Sequence, residues 1–304
     1  MVPSYNLRVS LLIKTLLGFG IATVVAGAVA AIVLLYPYSA RVTDADLHYA
    51  QRLGIVKDLD LPPLSGWLIR HPDGVRPTVV FIHGRSSNRM QMFPLAKAFF
   101  DRGFNTVLWD LRHHGNSGGE ETYGKAEIRD VLRVIEQVRA DKSVDPQKVS
   151  LLGFSLGAAM AIGASSADSA RTIHAVAADS PYANLRDTGF WYVRLWGRVP
   201  SAVAWPVASI ALTFGSWVSD VDTRELNPSD WATSVRAPVL LIQGEEDRRV
   251  NPDSSAKIFA NLVSKKELWV VPDAGHTEAF YKNPPAYIDR VAEFFSRKAT
   301  DYAD

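Results

Sequence analysis

An open α/β sheet, mostly parallel and covered by helices on both faces, is the fold class that this sequence predicts. It carries a helical cap insertion and an N-terminal transmembrane helix. Three observations predict it. Runs that are apolar at nearly every position recur: "TVVFIHG" (78–84), "KVSLLGF" (148–154) and "APVLLIQG" (237–244). Strands of that kind are buried on both faces, as in parallel sheets. Helix-periodic stretches separate them, and that alternation implies right-handed crossovers. Finally, residues 15–36, "TLLGFGIATVVAGAVAAIVLLY", hold no charge. With 47% hydrophobic and 21% charged residues the 304-residue chain is ordinary globular material. A net charge of +1 argues against nucleic-acid binding. The absence of cysteine excludes disulfides, thiolate zinc sites and cysteine nucleophiles.

The elements follow in order. As a helix, residues 15–36 would be about 33 Å long, enough to cross a hydrocarbon core. Arg8 and Lys14 precede the run, and Arg41, Asp44 and Asp46 follow it. The positive-inside rule then makes 1–14 a cytoplasmic tail, 15–36 a single-pass membrane anchor, and the remainder extracytoplasmic (periplasmic). A cleaved signal peptide would have a shorter apolar region and a small-x-small site, whereas "YPYSA" places Tyr38 where a small residue is wanted. A buried core helix is the third reading of the same run.

Strand-like pieces are expected in "HYAQRLGIVKDLDL" and "LSGWLIRHP", then at 78–84. A helix at 92–102 closes at Gly103, and "NTVLWD" (105–110) is the next strand. Ile128, Val131, Leu132, Ile135 and Val138 mark a helix over 125–140. The strand 148–154 leads into a helix of small residues, 156–167, and "IHAVAADSP" is a further strand. The strand 237–244, a helix at 253–263, the strand in "ELWVVPDAGH" and a helix at 286–298 complete the alternation.

Residues 183–226 interrupt it. Four of the eight tryptophans, Trp191, Trp196, Trp205 and Trp217, fall there. The stretch 199–219 is uncharged and could be a second membrane span. A crossing at that point would separate later strands from earlier ones, and Pro200, Pro206 and Gly215 interrupt the run. The expectation is a helical cap over the strand ends with its aromatics facing inward.

Ser155 stands where the strand hands over to the helix, in Gly153-Phe154-Ser155-Leu156-Gly157. A nucleophile on such a turn sits on strained backbone with its oxygen pushed out above the sheet edge. The flanking glycines remove Cβ clashes, and the following helix supplies N-terminal amides that favour negative charge. This stretch resembles the nucleophile elbow of the α/β-hydrolase superfamily. The likeness extends over about 45–298, which is therefore expected to be one α/β-hydrolase domain with 183–226 as its cap insertion. It is nearest to membrane-anchored bacterial serine hydrolases with a short cap.

The resemblance implies a catalytic acid after the serine and a histidine last. "LLIQGEEDRRV" resembles the acid loop and matches Asp247, while "VVPDAGHTEAF" matches His276. Glu245 and Glu246 adjoin Asp247, and Asp179 in "AADSP" holds the position that some members of the fold use for the acid. "FIHGRSSN" resembles the oxyanion loop, so the backbone N–H groups of Arg85 and Leu156 form the implied oxyanion hole; the Arg85 side chain is either a contact for an anionic substrate group or a solvated charge. His83 reads as structural. "DLRHHGNSGGE" resembles a structural turn of the family, and its adjacent His113 and His114 suit no metal site.

The activity so implied is hydrolysis of carboxylic esters through an acyl-enzyme, without a cofactor or metal. The partners are a small-molecule acyl substrate and a membrane. The apolar cap points to medium-chain or lipid-like acyl groups. A prolyl-oligopeptidase-like peptidase and a catalytically inactive membrane-bound binding module are the alternatives. Oligomeric state is left open.

Overall fold

A computed structural model of the chain describes residues 3–35, 38–219 and 221–297. Tyr36 at the end of the expected anchor, residues 1–2 of its tail and residue 298 at the end of the expected domain lie outside the described residues.

Helix α1 spans Pro3–Leu35. Helix α2 (Asp44–Gln51) begins at a capping box between Thr43 and Asp46. Its residues His48 to Gln51 were expected in a strand, but the cap commits them to a helix and β1 starts only at Ile55–Asp58. β2 (Gly66–Arg70) and β3 (Arg76–Ile82) follow, then α3 (Phe93–Phe100), β4 (Asn105–Trp109), α4 (Glu127–Arg139), β5 (Val144–Phe154), α5 (Leu156–Ala167) and β6 (Val176–Asp179). The cap holds α6 (Leu185–Gly197) and α7 (Ser201–Ser219). A short α8 (Pro228–Trp231) returns the chain to β7 (Val239–Gly244), α9 (Ser254–Asn261), β8 (Lys266–Val271), α10 (Ala279–Lys282) and α11 (Pro284–Ser296).

The eight strands form one sheet in the order β1-β2-β4-β3-β5-β6-β7-β8. β1 and β2 are antiparallel to their neighbours, and every pair from β4 to β8 is parallel. Period-two alternation divides the core. Val80 and Ile82 pack with Val131 and Ile135 of α4 and with α5; Val79 and Phe81 pack with Phe99 of α3 and Phe295 of α11. Register aligns the carboxyl ends: Ile82 pairs Gly153, Phe154 pairs Asp179, Asp179 pairs Ile242, and Gly244 pairs Val271. Loops leaving those ends therefore converge on one edge, where open α/β sheets place their ligands.

The cap leaves and re-enters through a pinched neck. Leu185 N–H donates to Leu226 O (3.1 Å), Ser229 N–H to Ala183 O (3.1 Å), and the Asn184 amide to Asn227 Oδ1 (2.6 Å). These bonds hold both ends of the cap together beside the carboxyl end of β6, which excludes a crossing by α7. Two expectations are corrected. Pro206 and Gly215 do not interrupt α7, because Pro206 falls in its second turn and forfeits one hydrogen bond, while Gly215 meets open space. The aromatics of α7 do not face inward: Ala204, Val207, Ala208, Ala211 and Leu212 take the buried face, leaving Trp205 and Trp217 exposed.

α1 packs on α7. A Cβ on Gly27 would lie 2.5 Å from Ile210 Cγ2, so only glycine permits this approach. The chain after α1 is tied to loops at the carboxyl edge of the sheet. The Ser39 hydroxyl donates to Ser87 O and accepts from Gly115 N–H (2.9 Å), and Val42 exchanges backbone hydrogen bonds with the Asn116 side chain (3.2 and 2.9 Å).

Candidate active site

Ser155 joins β5 to α5 with φ 53° and ψ −111°, a left-handed conformation that a non-glycine residue adopts only when its surroundings impose it. Its N–H donates to Asp179 O (2.8 Å), and its carbonyl accepts from Ala159 N–H (3.1 Å). The glycines are required by contact. A Cβ on Gly153 would meet Gly157 O at 2.3 Å, and one on Gly157 would meet Ile82 O at 2.2 Å. Both obstacles are backbone, which cannot rotate aside. Gly157→Ala is accordingly expected to cost about 1–3 kcal/mol or more of stability, seen as a lowered melting temperature together with reduced hydrolysis.

Three of the sequence-predicted residues meet at this edge. His276 Nε2 lies 2.8 Å from Ser155 Oγ, and His276 Nδ1 lies 2.8 Å from Asp247 Oδ2. Asp247 follows β7 and is 3% exposed. Its Oδ1 accepts the N–H groups of Arg249 (2.9 Å) and Val250 (3.3 Å), and its Oδ2 accepts from Gln243 Nε2 (3.2 Å). The Ser255 hydroxyl donates to Gln243 Oε1 (2.7 Å), fixing that amide. A carboxylate held by this many donors is fixed in orientation and directed at the imidazole. Glu245 and Glu246, the neighbouring alternatives, are exposed.

Asp179 is also buried here, but it faces other partners. It accepts from Tyr287 OH (3.0 Å) and Ser180 Oγ (2.9 Å). Burial pushes its pKa up to about 6, against the lowering effect of those two bonds. Ser180 Oγ in turn accepts from Thr277 N–H (3.0 Å), so Asp179 and Ser180 moor the loop that carries His276.

The loop after β3 lies against the serine turn. A Cβ on Gly84 would be 3.7 Å from Ser155 Cβ, and Gly84 N–H donates to Gln91 Oε1 (2.8 Å). This sets Arg85 beside the first turn of α5, where Leu156 N–H has no acceptor within the helix. His83 is buried; its Nε2 accepts from Leu111 N–H (3.0 Å), which leaves Nδ1–H to donate to Gly84 O (2.7 Å). Burial lowers its pKa, in keeping with that neutral form. His83 is thus a structural histidine, as expected. The Arg85 side chain is not the solvated charge considered above. It lies 3.4 Å from the Glu121 carboxylate and donates to Tyr123 OH (3.2 Å). Burial raises the Glu121 pKa to about 8.

The sequence reading missed two supports of this loop. His114 Nε2 accepts from Ser86 N–H (3.1 Å), and burial brings its pKa down to about 3. Arg89 is 1% exposed, pairs with Asp110 (2.7 Å) and stacks 4.5 Å over Trp67. The signal for the second was present as the aspartate of "DLRHHG", but nothing in the sequence names its partner. On α6, burial raises the pKa of the Tyr192 phenol, with smaller effects from the charges of Arg249, Arg85 and Asp247. Among the described residues no His, Asp and Glu cluster forms a metal site.

An eight-stranded sheet of this order, with a half-buried serine on a strained strand-to-helix turn and a helical cap, defines an α/β hydrolase. The chain belongs to the alpha/beta hydrolase family, whose model matches residues 79–290. It is 27% identical over 224 residues to the uncharacterised protein YqkD of Bacillus subtilis, covering 73% of this chain and 72% of that protein. Its identity to the uncharacterised protein YfhR of Escherichia coli K12 is 24% over 237 residues, or 76% and 75% of the two chains. Among solved structures, the Pyrococcus furiosus esterase Pf2001 superposes with a TM-score of 0.66 at 28% identity, over 86% of this chain and 97% of that one. The Pyrococcus horikoshii acylaminoacyl peptidase shares the fold, with a TM-score of 0.58 at 22% identity over 86% of this chain and 45% of that one.

Proposed function

We propose that the protein is a serine esterase, anchored in a membrane by α1 with its 45–298 domain on the extracytoplasmic side. Medium-chain or lipid-like carboxylic esters are its substrates. The carrying observation is the continuous path Ser155 Oγ, His276, Asp247, with 2.8 Å at each step. In this reading Ser155 Oγ attacks the ester carbon while His276 Nε2 takes its proton. The imidazolium returns that proton to the leaving alkoxide. Asp247 holds the Nδ1–H tautomer and stabilises the charged ring. The oxyanion sits between the N–H groups of Arg85 and Leu156; one such donor is worth about 3 kcal/mol of barrier. Water then attacks the acyl-enzyme by the same route in reverse. Every step is carried by this chain's own groups.

The ester assignment draws on the likeness to an esterase. Full-length protein should be assayed against p-nitrophenyl esters of increasing chain length beside aminoacyl amides. Ester turnover that peaks at medium acyl length is expected. Amide turnover without ester turnover would instead identify a peptidase, and neither, with no acyl-enzyme trapped, an inactive binding module.

A further inference from the structure

The cap is more than a roof. We infer that the outer face of α7 docks in the lipid of the same bilayer that α1 enters, so that the site opens at the membrane surface. The inference rests on the anchoring by α1 proposed above, and it adds a second, monotopic contact together with the class of substrate that this contact delivers.

The packing order makes the argument. α6 starts at Leu185, six residues after Asp179, whose carbonyl accepts the Ser155 N–H. α7 covers the far side of α6, with Gly189 against Leu212 and the Phe190 ring 5.4 Å from Trp205. α1 covers part of α7 at Gly27 and Ile210. What this stack leaves uncovered is apolar. Trp205 (53%), Phe214 (37%), Trp217 (78%) and Val218 (47%) are exposed on α7, beside an open groove lined by Ser209, Ile210 and Thr213. Leu17, Ile21 and Val25 of α1 are exposed as well. Apolar patches of this kind on a soluble surface mark a docking site.

Three features select lipid as the occupant. First, among the described residues α1 and α7 are the two helices long and apolar enough for a bilayer, and they touch at Gly27 and Ile210; Gly27 lies about 13 Å of helix inside the end of the 15–36 run, so a bilayer that receives α1 also receives the α7 face beside it. Secondly, α7 cannot cross, because the neck fastens the two ends of the cap to each other, but it can lie along the interface. Its tryptophans near both ends suit that depth, and exposed Arg198 on one side and exposed Arg224 on the other bound the apolar stretch. Thirdly, the tether is short. Ser39, already hydrogen bonded to Ser87 of the loop next to the site, is four residues beyond the end of α1 at Leu35. Even fully extended, those residues reach only about 14 Å. The oxyanion loop is therefore held within that distance of the end of α1. Amphiphilic acyl esters partitioned in the outer half of the bilayer are the substrates such a site meets.

The chain has no cysteine, so single cysteines can be introduced without background. Trp217→Cys, Ile21→Cys and Val75→Cys would each be labelled with bimane in the full-length protein. Each is then reconstituted in phosphatidylcholine–phosphatidylglycerol vesicles whose lipids carry a nitroxide high or low on the acyl chain. Trp217→Cys is expected to lose emission by about two-fold or more with the shallow nitroxide, as an interfacial residue should. Ile21→Cys should respond best to the deep one, and Val75→Cys, 62% exposed on the sheet domain, to neither. Quenching at Ile21 with none at Trp217 would overturn the docking while leaving the anchor intact. No quenching at Ile21 would overturn the anchor, and the docking with it. Protection of Trp217 from aqueous iodide without lipid quenching would mean that protein, not lipid, covers α7, and would also overturn it. Val218→Cys serves as a replicate on the same face.

Discussion

Replacing Ser155 by alanine is expected to abolish ester hydrolysis, with turnover falling on the order of a million-fold, while the melting temperature is unchanged or slightly raised. The size follows from the reaction path: without Oγ there is no acyl-enzyme, and what remains is the effect of the oxyanion donors on direct attack by water. Stability should not suffer, because Oγ has the His276 imidazole as its hydrogen-bond partner and holds no structural element in place. Alanine retains a Cβ at φ 53° and so inherits the same backbone strain. The measurement is covalent labelling by a fluorophosphonate beside steady-state hydrolysis. Undiminished labelling of the alanine protein would transfer the nucleophile to another residue.

The second large effect separates two buried aspartates. Asp247→Asn is expected to lower turnover about ten-thousand-fold with little change in substrate affinity, because the amide cannot hold His276 in the tautomer that accepts the serine proton. Asp179→Asn should retain most of the turnover and instead change the pH dependence of stability. Burial holds the Asp179 pKa at about 6 in the folded state, against about 4 in the unfolded chain. The native state therefore binds more protons between those values. By linkage, this group stabilises the fold fully below about pH 4, and its contribution is lost as the pH rises to about 6. Asparagine has no such titration, so the melting temperature of Asp179→Asn should decline less than that of the parent across that window. A ten-thousand-fold loss from Asp179→Asn with near-normal turnover in Asp247→Asn would reverse the roles.

The sheet was legible because its strands are apolar on both faces and because helices of regular period lie between them. The serine turn was legible for a local reason: Gly153 and Gly157 are demanded by backbone carbonyls at 2.3 and 2.2 Å, and such a demand leaves its mark within five residues. Asp247 and His276 were legible only through family likeness, since the distances that join them to Ser155 arise from strand register across three crossovers. The supports of the loop after β3 were not legible. His114 and Arg89 act through partners far along the chain, and their residue types fit many roles. The outward aromatics of α7 were misread because hydropathy reports that a helix is apolar and does not say which face another helix covers. Small residues at Ala204, Ala208 and Ala211 were the cue, as they let α7 lie close to the domain and push the tryptophans to the other side.

The neck at residues 183–185 and 226–229 gives the cap the character of a cassette. Its two ends are fastened to each other by hydrogen bonds before the polypeptide rejoins the sheet. Residues between the fastenings can therefore lengthen, shorten or be replaced without altering the register of β6 against β7. The cap can then diverge between descendants of one gene, while the site beneath it is inherited whole.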